Sequence, residues 1–415
     1  MLFSKPKNAV GIDIGTHSVK AVQISRAGGG LRIDNVGHAR LDRAQMNMDP
    51  IAAQAQALQE AVRFMPLQYS MLVGALPGQS VVIRYPRLPN LGREEFAQAV
   101  DKEASQNLPY DLTEVNLDWT PVATVTEGER TLTKIMLVAA KHETIENRVE
   151  VAQSAGLQFA ILDVDSLALA DAAEALGLTS ETDEGVALVN LGANATSIHF
   201  LKEGVSNFIR DVNWGSRELI QAITRARRCE HEEAEQMLFE AAKPAPPASA
   251  DSGEEPGTSI QEEEPAGPSE AETSWAGSSV LDPLDDELAD LGDLDAPQQA
   301  EPAAAAPAPA DKSVDELVTT PLNRLVSEIR RSFDYYEQQL YEQPVSRIIL
   351  SGGTAQLPVL RQTLAEELGV EHVDVANPMS GGLKLGDSAS LDILQEHPAQ
   401  FMVAVGLAVR GAADL

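Results

Sequence analysis

Two short stretches combine an apolar run with a glycine-bearing turn, and their residue types suit the binding of an anion. They read Gly11-Ile-Asp-Ile-Gly-Thr-His-Ser-Val-Lys20 and Val189-Asn-Leu-Gly-Ala-Asn-Ala-Thr196. Glycine in a turn allows backbone N–H groups to approach an anion closely, and neighbouring hydroxyls add donors. Two such turns facing each other across a cleft would hold the phosphates of a nucleotide. A Walker-type loop is excluded, because its Gly-Lys-Ser/Thr sequence is absent.

The first stretch contains the candidate cation ligand. Asp13 ends an apolar strand, where a carboxylate costs desolvation free energy unless hydrogen bonds or a cation compensate it. We expect Asp13 to face a nucleotide-bound Mg²⁺ through water, and the alternative is a carboxylate that caps its own turn. Lys20 would neutralise phosphate charge or form a structural ion pair. The candidate phosphate ligands beside them are Gly15, Thr16, His17 and Ser18.

The second turn and a third stretch complete the candidate site. The third stretch, Ile348-Ile-Leu-Ser-Gly-Gly-Thr354, reads as a buried strand that ends in paired glycines before a helix. Paired glycines permit close approach to a flat adenine or to a ribose, and a helix start offers free N–H groups. The candidates in these two stretches are Asn190, Gly192, Ala193, Asn194, Thr196, Gly352, Gly353 and Thr354.

The elements that must position these stretches form a pattern that occurs twice. Three strands fill residues 9–40, further strands and helices follow, and three strands start again at Val186. Helices are predicted over 314–343, 356–368 and 401–409. This duplication predicts an α/β fold of two lobes around a cleft, each lobe a mixed sheet covered by helices.

Composition limits where the protein works and what it binds. The chain has 415 residues, a net charge of −32 and a single cysteine, Cys229. An acidic chain is a poor candidate for nucleic-acid binding, which needs basic patches. A single cysteine excludes an internal disulfide and fits a reducing cytoplasm. No apolar run reaches the length of about 18 residues that a membrane span needs. We therefore expect a cytoplasmic protein without a nucleic-acid partner or direct membrane insertion.

An acidic segment rich in Pro and Ala interrupts the second half of the pattern. From Pro244 to Asp311 it contains 17 acidic residues and no Lys or Arg. Such a segment cannot bury enough apolar surface to offset its ordering entropy, so residues 243–312 are predicted to be disordered. Within it, leucines recur at helical spacing over Val280–Leu294, which fits either a solvated acidic linker or a short partner-binding helix.

The three stretches together resemble the motifs of the actin, sugar-kinase and heat-shock-chaperone superfamily. The sequence between them carries a narrower resemblance. It rests on Val10–Gly15 with Ser18–Lys20, Leu108-Pro-Tyr-Asp-Leu112, Glu114–Asp118, Val164-Asp-Ser-Leu-Ala-Leu169, Arg210-Asp-Val212, Glu328–Ser332, Tyr335–Gln338 and Arg347–Thr354. These stretches resemble the PilM family, the actin-like cytoplasmic proteins of type IV pilus assembly, and the resemblance covers nearly everything except about 243–312.

The resemblance implies a two-lobed actin-like ATPase fold with an FtsA-like extra subdomain, and ATP with Mg²⁺ in its cleft. Carried onto this chain, the first lobe is 1–85 and 161–183, the inserted subdomain is 86–160, and the second lobe is 184–242 and 313–415. It also implies that a groove between the first-lobe core and the inserted subdomain binds the cytoplasmic N-terminal tail of the inner-membrane protein PilN. Through PilN and PilO the protein would be recruited to the inner face of the inner membrane, and self-association is a further expectation.

Two departures from the superfamily pattern bear on catalysis. Asn190 stands where the superfamily often has Asp, and an amide supplies no negative charge to Mg²⁺ or to an attacking water. Ala234-Glu-Gln-Met-Leu238 keeps Glu235 for a ribose contact but lacks the Lys of the superfamily motif. No residue stands out as a general base, so we expect ATP binding with slow or absent hydrolysis.

Two other functions fit the same superfamily. A small-molecule kinase needs a catalytic Asp near the cleft, and Asn190 and the absence of another obvious acid disfavour it. An FtsA-like cell-division filament protein usually ends in a basic amphipathic membrane helix. This chain ends in Val403-Ala-Val-Gly-Leu-Ala-Val-Arg-Gly-Ala-Ala-Asp-Leu415, which has no basic face. Pilus assembly is therefore the favoured function.

Overall fold

The computed structural model of the chain describes residues 6–128, 130–179, 185–242 and 312–415. The insertion predicted to be disordered lies outside these ranges, except for Lys312, and so does the leucine pattern over Val280–Leu294. Among the described residues, no helix combines the length and the apolar character that crossing a membrane requires.

The strands and helices alternate along the chain. The strands are β1 (Asn8–Ile14), β2 (Ser18–Ala27), β3 (Gly30–Arg40), β4 (Ser70–Leu76), β5 (Val81–Arg84), β6 (Arg87–Pro89), β7 (Val115–Glu127), β8 (Arg130–Lys141), β9 (Ile161–Val164), β10 (Gly185–Leu191), β11 (Thr196–Lys202), β12 (Val205–Val212), β13 (Val345–Gly352), β14 (His372–Val375) and β15 (Lys384–Leu385). The helices are α1 (Arg43–Met48), α2 (Pro50–Val62), α3 (Arg93–Asn107), α4 (His142–Ser154), α5 (Asp165–Ala175), α6 (Arg217–Arg227), α7 (His231–Ala241), α8 (Val314–Asp334), α9 (Pro358–Leu368), α10 (Asp392–Glu396) and α11 (Met402–Ala413).

Two of the sheets contain the same order of five strands, and the first sheet adds β15 at its edge. The first has six strands in the order β15-β3-β2-β1-β4-β9, and the second has five in the order β12-β11-β10-β13-β14. In each, three antiparallel strands come first and two parallel strands are then added beside the first of them. The duplicated two-lobe layout predicted from the sequence is therefore present.

A third sheet is inserted between β4 and β9. It has four strands, with β8 at the centre paired to β5, β6 and β7. Helix α3 covers it with Phe96, Val100 and Ala104, which pack with Ile135 and Leu137 in a separate small core. The chain then returns to the first sheet through α4, and Val151 of this helix and Ala155 just after it pack in the core of the first lobe.

The last helix crosses back to the first lobe. Strand β15 pairs with β3, and α11 packs on β1, β4 and α5. The close approach depends on glycines, because a Cβ on Gly11 would lie 2.1 Å from the Ala404 carbonyl oxygen and one on Gly406 would lie 1.6 Å from that of Ala168. Helices α5 and α11 therefore lie in direct backbone contact behind β1, the strand that leads into the first glycine turn.

Candidate functional site

The first glycine turn joins β1 to β2 and is tightly bonded. The Gly15 N–H donates to the Ser18 carbonyl at 3.1 Å, and the Leu41 N–H donates to the His17 carbonyl at 2.9 Å. Asp13 and Lys20 are paired in the register of the two strands, and Lys20 Nζ lies 3.3 Å from Asp13 Oδ2. Both side chains are largely buried, so the pair retains most of its attraction.

Positive charge is concentrated beside this turn, in a chain that is otherwise strongly acidic. Arg148 of α4 donates to the Ile14 carbonyl at 3.4 Å. Burial lowers the pKa of Arg148, and the charges of Asp13 and Asp165 raise it. His38 on β3 has its pKa lowered to about 4 by burial and by the charges of Lys20, His17 and Arg40. Lys20 and Arg40 are paired with Asp13 and Glu235, so cations and carboxylates alternate beside this turn.

The second glycine turn joins β10 to β11 and packs on the start of α6. Gly192 N–H donates to the Ala195 carbonyl at 2.9 Å, while the Gly192 carbonyl accepts from Ser216 N–H at 3.0 Å. The Thr196 hydroxyl is fully buried and donates to the Trp214 carbonyl at 2.9 Å. Thr196 therefore anchors the turn through its side chain, and Ala193 and Asn194 occupy the tip.

The third stretch lies directly beside the second turn, because β13 is the parallel neighbour of β10. Ser351 Oγ donates to Asn190 Oδ1 at 3.3 Å. Gly352 has a φ of +95°, and a Cβ there would lie 2.2 Å from the Leu191 carbonyl oxygen, so only glycine fits. Thr354 is buried, and its hydroxyl has no hydrogen-bond partner. The structure therefore brings the predicted residues of these two stretches together.

A row of polar side chains crosses the second sheet at this end. Asp211, Ser197, Asn190 and Ser351 occupy paired positions on four adjacent strands, β12, β11, β10 and β13. Paired positions on neighbouring strands face the same side of a sheet. Ser197 is buried, and its hydroxyl has no hydrogen-bond partner. Of this row, only Asn190 was predicted from the sequence, because the strand register decides which residues lie beside it.

Two half-buried carboxylates lie at the junction of the three sheets. Asp165 Oδ1 accepts the Gly78 N–H at 2.9 Å, and a Cβ on Gly78 would lie 2.8 Å from Asp211 Oδ2. Burial raises the pKa of Asp165 to about 7, with further contributions from the charges of Asp211 and Asp13. Burial raises that of Asp211 to about 6. Both aspartates lie in stretches that resemble the PilM family, which was the one sequence signal that could have indicated them.

Glu235 of α7 reaches the first turn from the second lobe. Its Oε1 lies 3.1 Å from His17 Nε2, and its Oε2 accepts a hydrogen bond from Arg40. Burial alone would raise the pKa of Glu235, but the hydrogen bond from His17 and the charges of His17 and Arg40 lower it to about 2. A cavity of about 370 Å³ opens at this contact. Its lining residues are His17, Arg40, Leu41, Asp42, Arg43, Ala44, Glu232 and Glu235.

The side chains near Asp13 suit a Mg²⁺ ion carried by a nucleotide better than a Mg²⁺ ion coordinated by protein ligands alone. Within the part of the chain that the structure describes, no three His, Cys, Asp or Glu side chains are grouped to hold a metal ion. Mg²⁺ on a nucleotide usually needs only one or two carboxylates, because phosphates and waters supply its other ligands. Asp13 alone would suffice for such a water-mediated contact.

Two sheets that contain the same order of five strands, each with a glycine turn between its first two strands, define an actin-like ATPase fold. Comparison with known proteins then narrows this class. The model of the family described as type IV pilus assembly protein PilM matches residues 11–245 and 289–412. The chain therefore belongs to the PilM family.

One solved structure shows the same fold, and a second is more distantly similar. A structure of a PilM–PilN type IV pilus biogenesis complex superimposes with a TM-score of 0.69 at 22% identity, and the match covers 97% of this chain and 98% of that one. The ethanolamine utilization protein EutJ from Carboxydothermus hydrogenoformans superimposes with a TM-score of 0.47 at 14% identity, over 98% of this chain and 90% of its own.

Proposed function

We propose that this protein binds ATP between its two lobes and uses the nucleotide-bound form to hold the cytoplasmic tail of PilN. The observation that carries the proposal is the contact of Glu235 with His17, since it places the second lobe directly against the first glycine turn. A ligand that touches both lobes favours the closed cleft over the open one. The protein is then a nucleotide-dependent scaffold of the pilus machine.

The two glycine turns would hold the phosphates. In the first turn the backbone of Thr16, His17 and Ser18 would donate, and Lys20 would supply positive charge. In the second turn Gly192 and its neighbours at the tip would donate from the opposite side. Mg²⁺ would neutralise the phosphates, with a water between it and Asp13. Gly352 and Gly353 would lie along the adenine or the ribose.

The tail of PilN would lie in a groove of about 660 Å³ between α2 and α4. This groove is lined by short apolar, amide and acidic side chains, among them Ala52, Ala55, Asp49 and Glu150. A cytoplasmic tail that precedes a membrane span is enriched in Lys and Arg. Its charge would complement Asp49 and Glu150, and the solved complex of PilM with PilN supports the choice of partner. Binding of this tail, and through it of PilO, would recruit the protein to the inner face of the membrane.

ATP turnover is expected to be slow or absent, because Asn190 supplies no charge at the second turn. Asp165 favours a second candidate function, in which the protein hydrolyses ATP or transfers its phosphoryl group. A carboxylate with a pKa near 7 is suited to act as a general base. A turnover of about 1 s⁻¹, the low end of kinase rates, that is lost in Asp165→Asn would establish this second function.

Calorimetric titration of ATP·Mg²⁺ and of a synthetic PilN tail peptide tests the scaffold. Asp13→Ala should weaken ATP binding at least tenfold and remove the effect of ATP on peptide affinity, whereas Asp334→Ala, an exposed change on α8, should do neither. Equal peptide affinity with and without ATP would contradict the nucleotide switch.

The groove is tested separately. Glu150→Lys should weaken the peptide at least tenfold and leave ATP binding unchanged. Glu371→Lys, an equal charge reversal at an exposed position after α9, is the matched control. Unchanged peptide binding by the Glu150 variant would exclude this groove.

A further inference from the structure

A chain of polar groups, half-buried at Tyr85 and Ser206 and fully buried at His199, links the inserted subdomain to the second lobe. Tyr85, which follows β5, has its hydroxyl 2.6 Å from Ser206 Oγ on β12. Ser206 Oγ lies 2.7 Å from His199 Nε2 on β11, and His199 Nδ1 lies 2.9 Å from the Ser166 carbonyl oxygen in α5. The chain thus begins beside β5, a strand of the third sheet that belongs to the inserted subdomain in the structure, crosses two strands of the second sheet and ends at α5, the helix that connects the lobes.

The direction of every hydrogen bond in this chain is determined. The carbonyl of Ser166 can only accept, so His199 carries its proton on Nδ1. Burial lowers the pKa of His199 to about 4, so the ring is neutral near pH 7 and its Nε2 accepts from Ser206. The Ser206 oxygen is then free to accept from Tyr85. No member can reverse its role without breaking a buried bond, and such a bond is costly to leave unmade.

A second set of contacts joins the inserted subdomain to β12. Lys134 of β8 is buried, and its Nζ donates to Asn207 Oδ1, the neighbour of Ser206 on β12. Asn207 Nδ2 donates in turn to the Tyr336 hydroxyl at 3.1 Å. The Lys134 ammonium also lies 5.4 Å from the centre of the Tyr85 ring. Two consecutive residues of β12 are therefore held by the inserted subdomain.

The start of α5, where the polar chain ends, also binds the segment through which the chain enters the inserted subdomain. Gly78 lies in the connection from β4 to β5, and its N–H donates to Asp165, the residue before Ser166. The carboxylate of Asp211, at the end of β12, lies on the same face of Gly78, because a Cβ there would be 2.8 Å from Asp211 Oδ2 and 3.2 Å from Asp165 Oδ1. The cleft carboxylates and the base of the inserted subdomain are therefore in contact.

We propose that Asp165 and Ser166 are positioning residues that couple the occupancy of the cleft to the seating of the inserted subdomain. The coupling runs through the Gly78 connection and through the chain Ser166–His199–Ser206–Tyr85. A ligand that draws the Asp165 or Asp211 carboxylate toward itself shifts both attachments of the subdomain at once. The proposal rests on the proposed function, since it describes how ATP would reach the groove beside that subdomain.

Hydrogen exchange of the β5–β8 amides in the full chain tests this coupling. Ser206→Ala removes the central hydroxyl and its two hydrogen bonds without changing charge. In the nucleotide-free protein it should speed exchange of these amides about tenfold, as expected for loss of a buried hydrogen bond. Ser346→Ala, which removes a hydroxyl that donates to Gly185 elsewhere in the second lobe, should leave them unchanged. Tyr85→Phe breaks only the outer bond and should show the same effect in the same amides.

Adding ATP·Mg²⁺ separates this proposal from the proposed function. The wild type should slow exchange at β5–β8, and Ser206→Ala should lose most of that change while its ATP affinity stays within about twofold. An identical ATP effect in both proteins would overturn the coupling, as would ATP binding with no change at these amides. If no ATP binds, the proposed function fails, and the same exchange rates for Ser206→Ala and wild type without nucleotide would then refute the polar chain as well.

Discussion

Replacing Asp165 by Asn tests how much the ionisation of one half-buried carboxyl contributes to the pH dependence of stability. Asp165→Asn preserves the side-chain oxygen that accepts from the Gly78 and Ser166 N–H groups at 2.9 and 2.6 Å. It replaces the other carboxyl oxygen by an amide NH₂ group, which cannot ionise in this pH range. In the wild type, burial and then the charges of Asp211 and Asp13 raise the Asp165 pKa from 3.8 to about 7. The folded protein therefore binds a proton that the unfolded chain has already released.

This pKa shift determines how the free energy of unfolding changes with pH, in sign and in size. Where the folded state binds more protons, the free energy of unfolding falls as the pH rises. For Asp165 that window runs from its unfolded pKa of 3.8 to its folded pKa of about 7. At about 1.4 kcal/mol per unit, the whole shift corresponds to about 4 kcal/mol, and roughly 3 kcal/mol of it is lost between pH 5 and pH 8. The Asn variant lacks this loss.

Urea unfolding at pH 5, 6, 7 and 8 measures the difference. Trp214 is only 1% exposed in the second lobe, so its fluorescence reports unfolding, and far-ultraviolet circular dichroism provides an independent signal. The wild type should lose about 3 kcal/mol more than Asp165→Asn over this range. Asp334→Asn, at an exposed position, should follow the wild type.

Two results would refute the reasoning. Parallel stability curves for the wild type and the Asn variant would mean that Asp165 titrates alike in both states. A variant that becomes less stable as pH rises, relative to the wild type, would mean that the buried carboxylate is ionised and favourably paired. The second result would point to Arg148, the cation that acts on Asp165 from α4.

Two further predictions concern the frame of the site. Gly406→Ala should destabilise the protein by about 3 kcal/mol or more, because its Cβ would collide with the backbone of α5, and calorimetry should show a lowered Tm. Gly30→Ala, where a Cβ meets nothing within 4 Å, is the control, and a similar fall in both would contradict the packing argument. Glu235→Gln should cost about 1–3 kcal/mol in urea unfolding, since it leaves Arg40 and His17 without their carboxylate. A double-mutant cycle with His17→Gln should show coupling, and additive effects would argue against the contact.

Much of the fold was predictable because it depends on local patterns. Apolar runs that end in glycine turns predicted β1 with β2 and β10 with β11, and the restart at Val186 predicted the second sheet. The short strands β14 and β15 gave no such signal. Strand β15 exists because the chain crosses back to pair with β3, which is a long-range contact that leaves no periodic trace.

The candidate site divides in the same way. Asp13 and Asn190 could be proposed as candidates from the sequence, because each lies beside a glycine turn within one short stretch. Asp165 and Asp211 could not, since they come from separate elements and meet only around Gly78. The sequence shows no obvious acid near the glycine turns, which was the argument against phosphoryl transfer. Asp165 and Asp211 escaped notice because they lie far apart along the chain and far from both turns.

The amino-acid sequence by itself determined the two-lobed α/β class, the glycine turns and the resemblance to the PilM family. These are local properties, because a turn needs its glycine and a strand needs its apolar run within a few residues. Only the tertiary structure decided which charges meet in the cleft, namely Glu235 with His17 and Arg40, and Asp165 with Asp211. Their burial and their pKa values arise from packing between distant elements, and no local pattern encodes that packing.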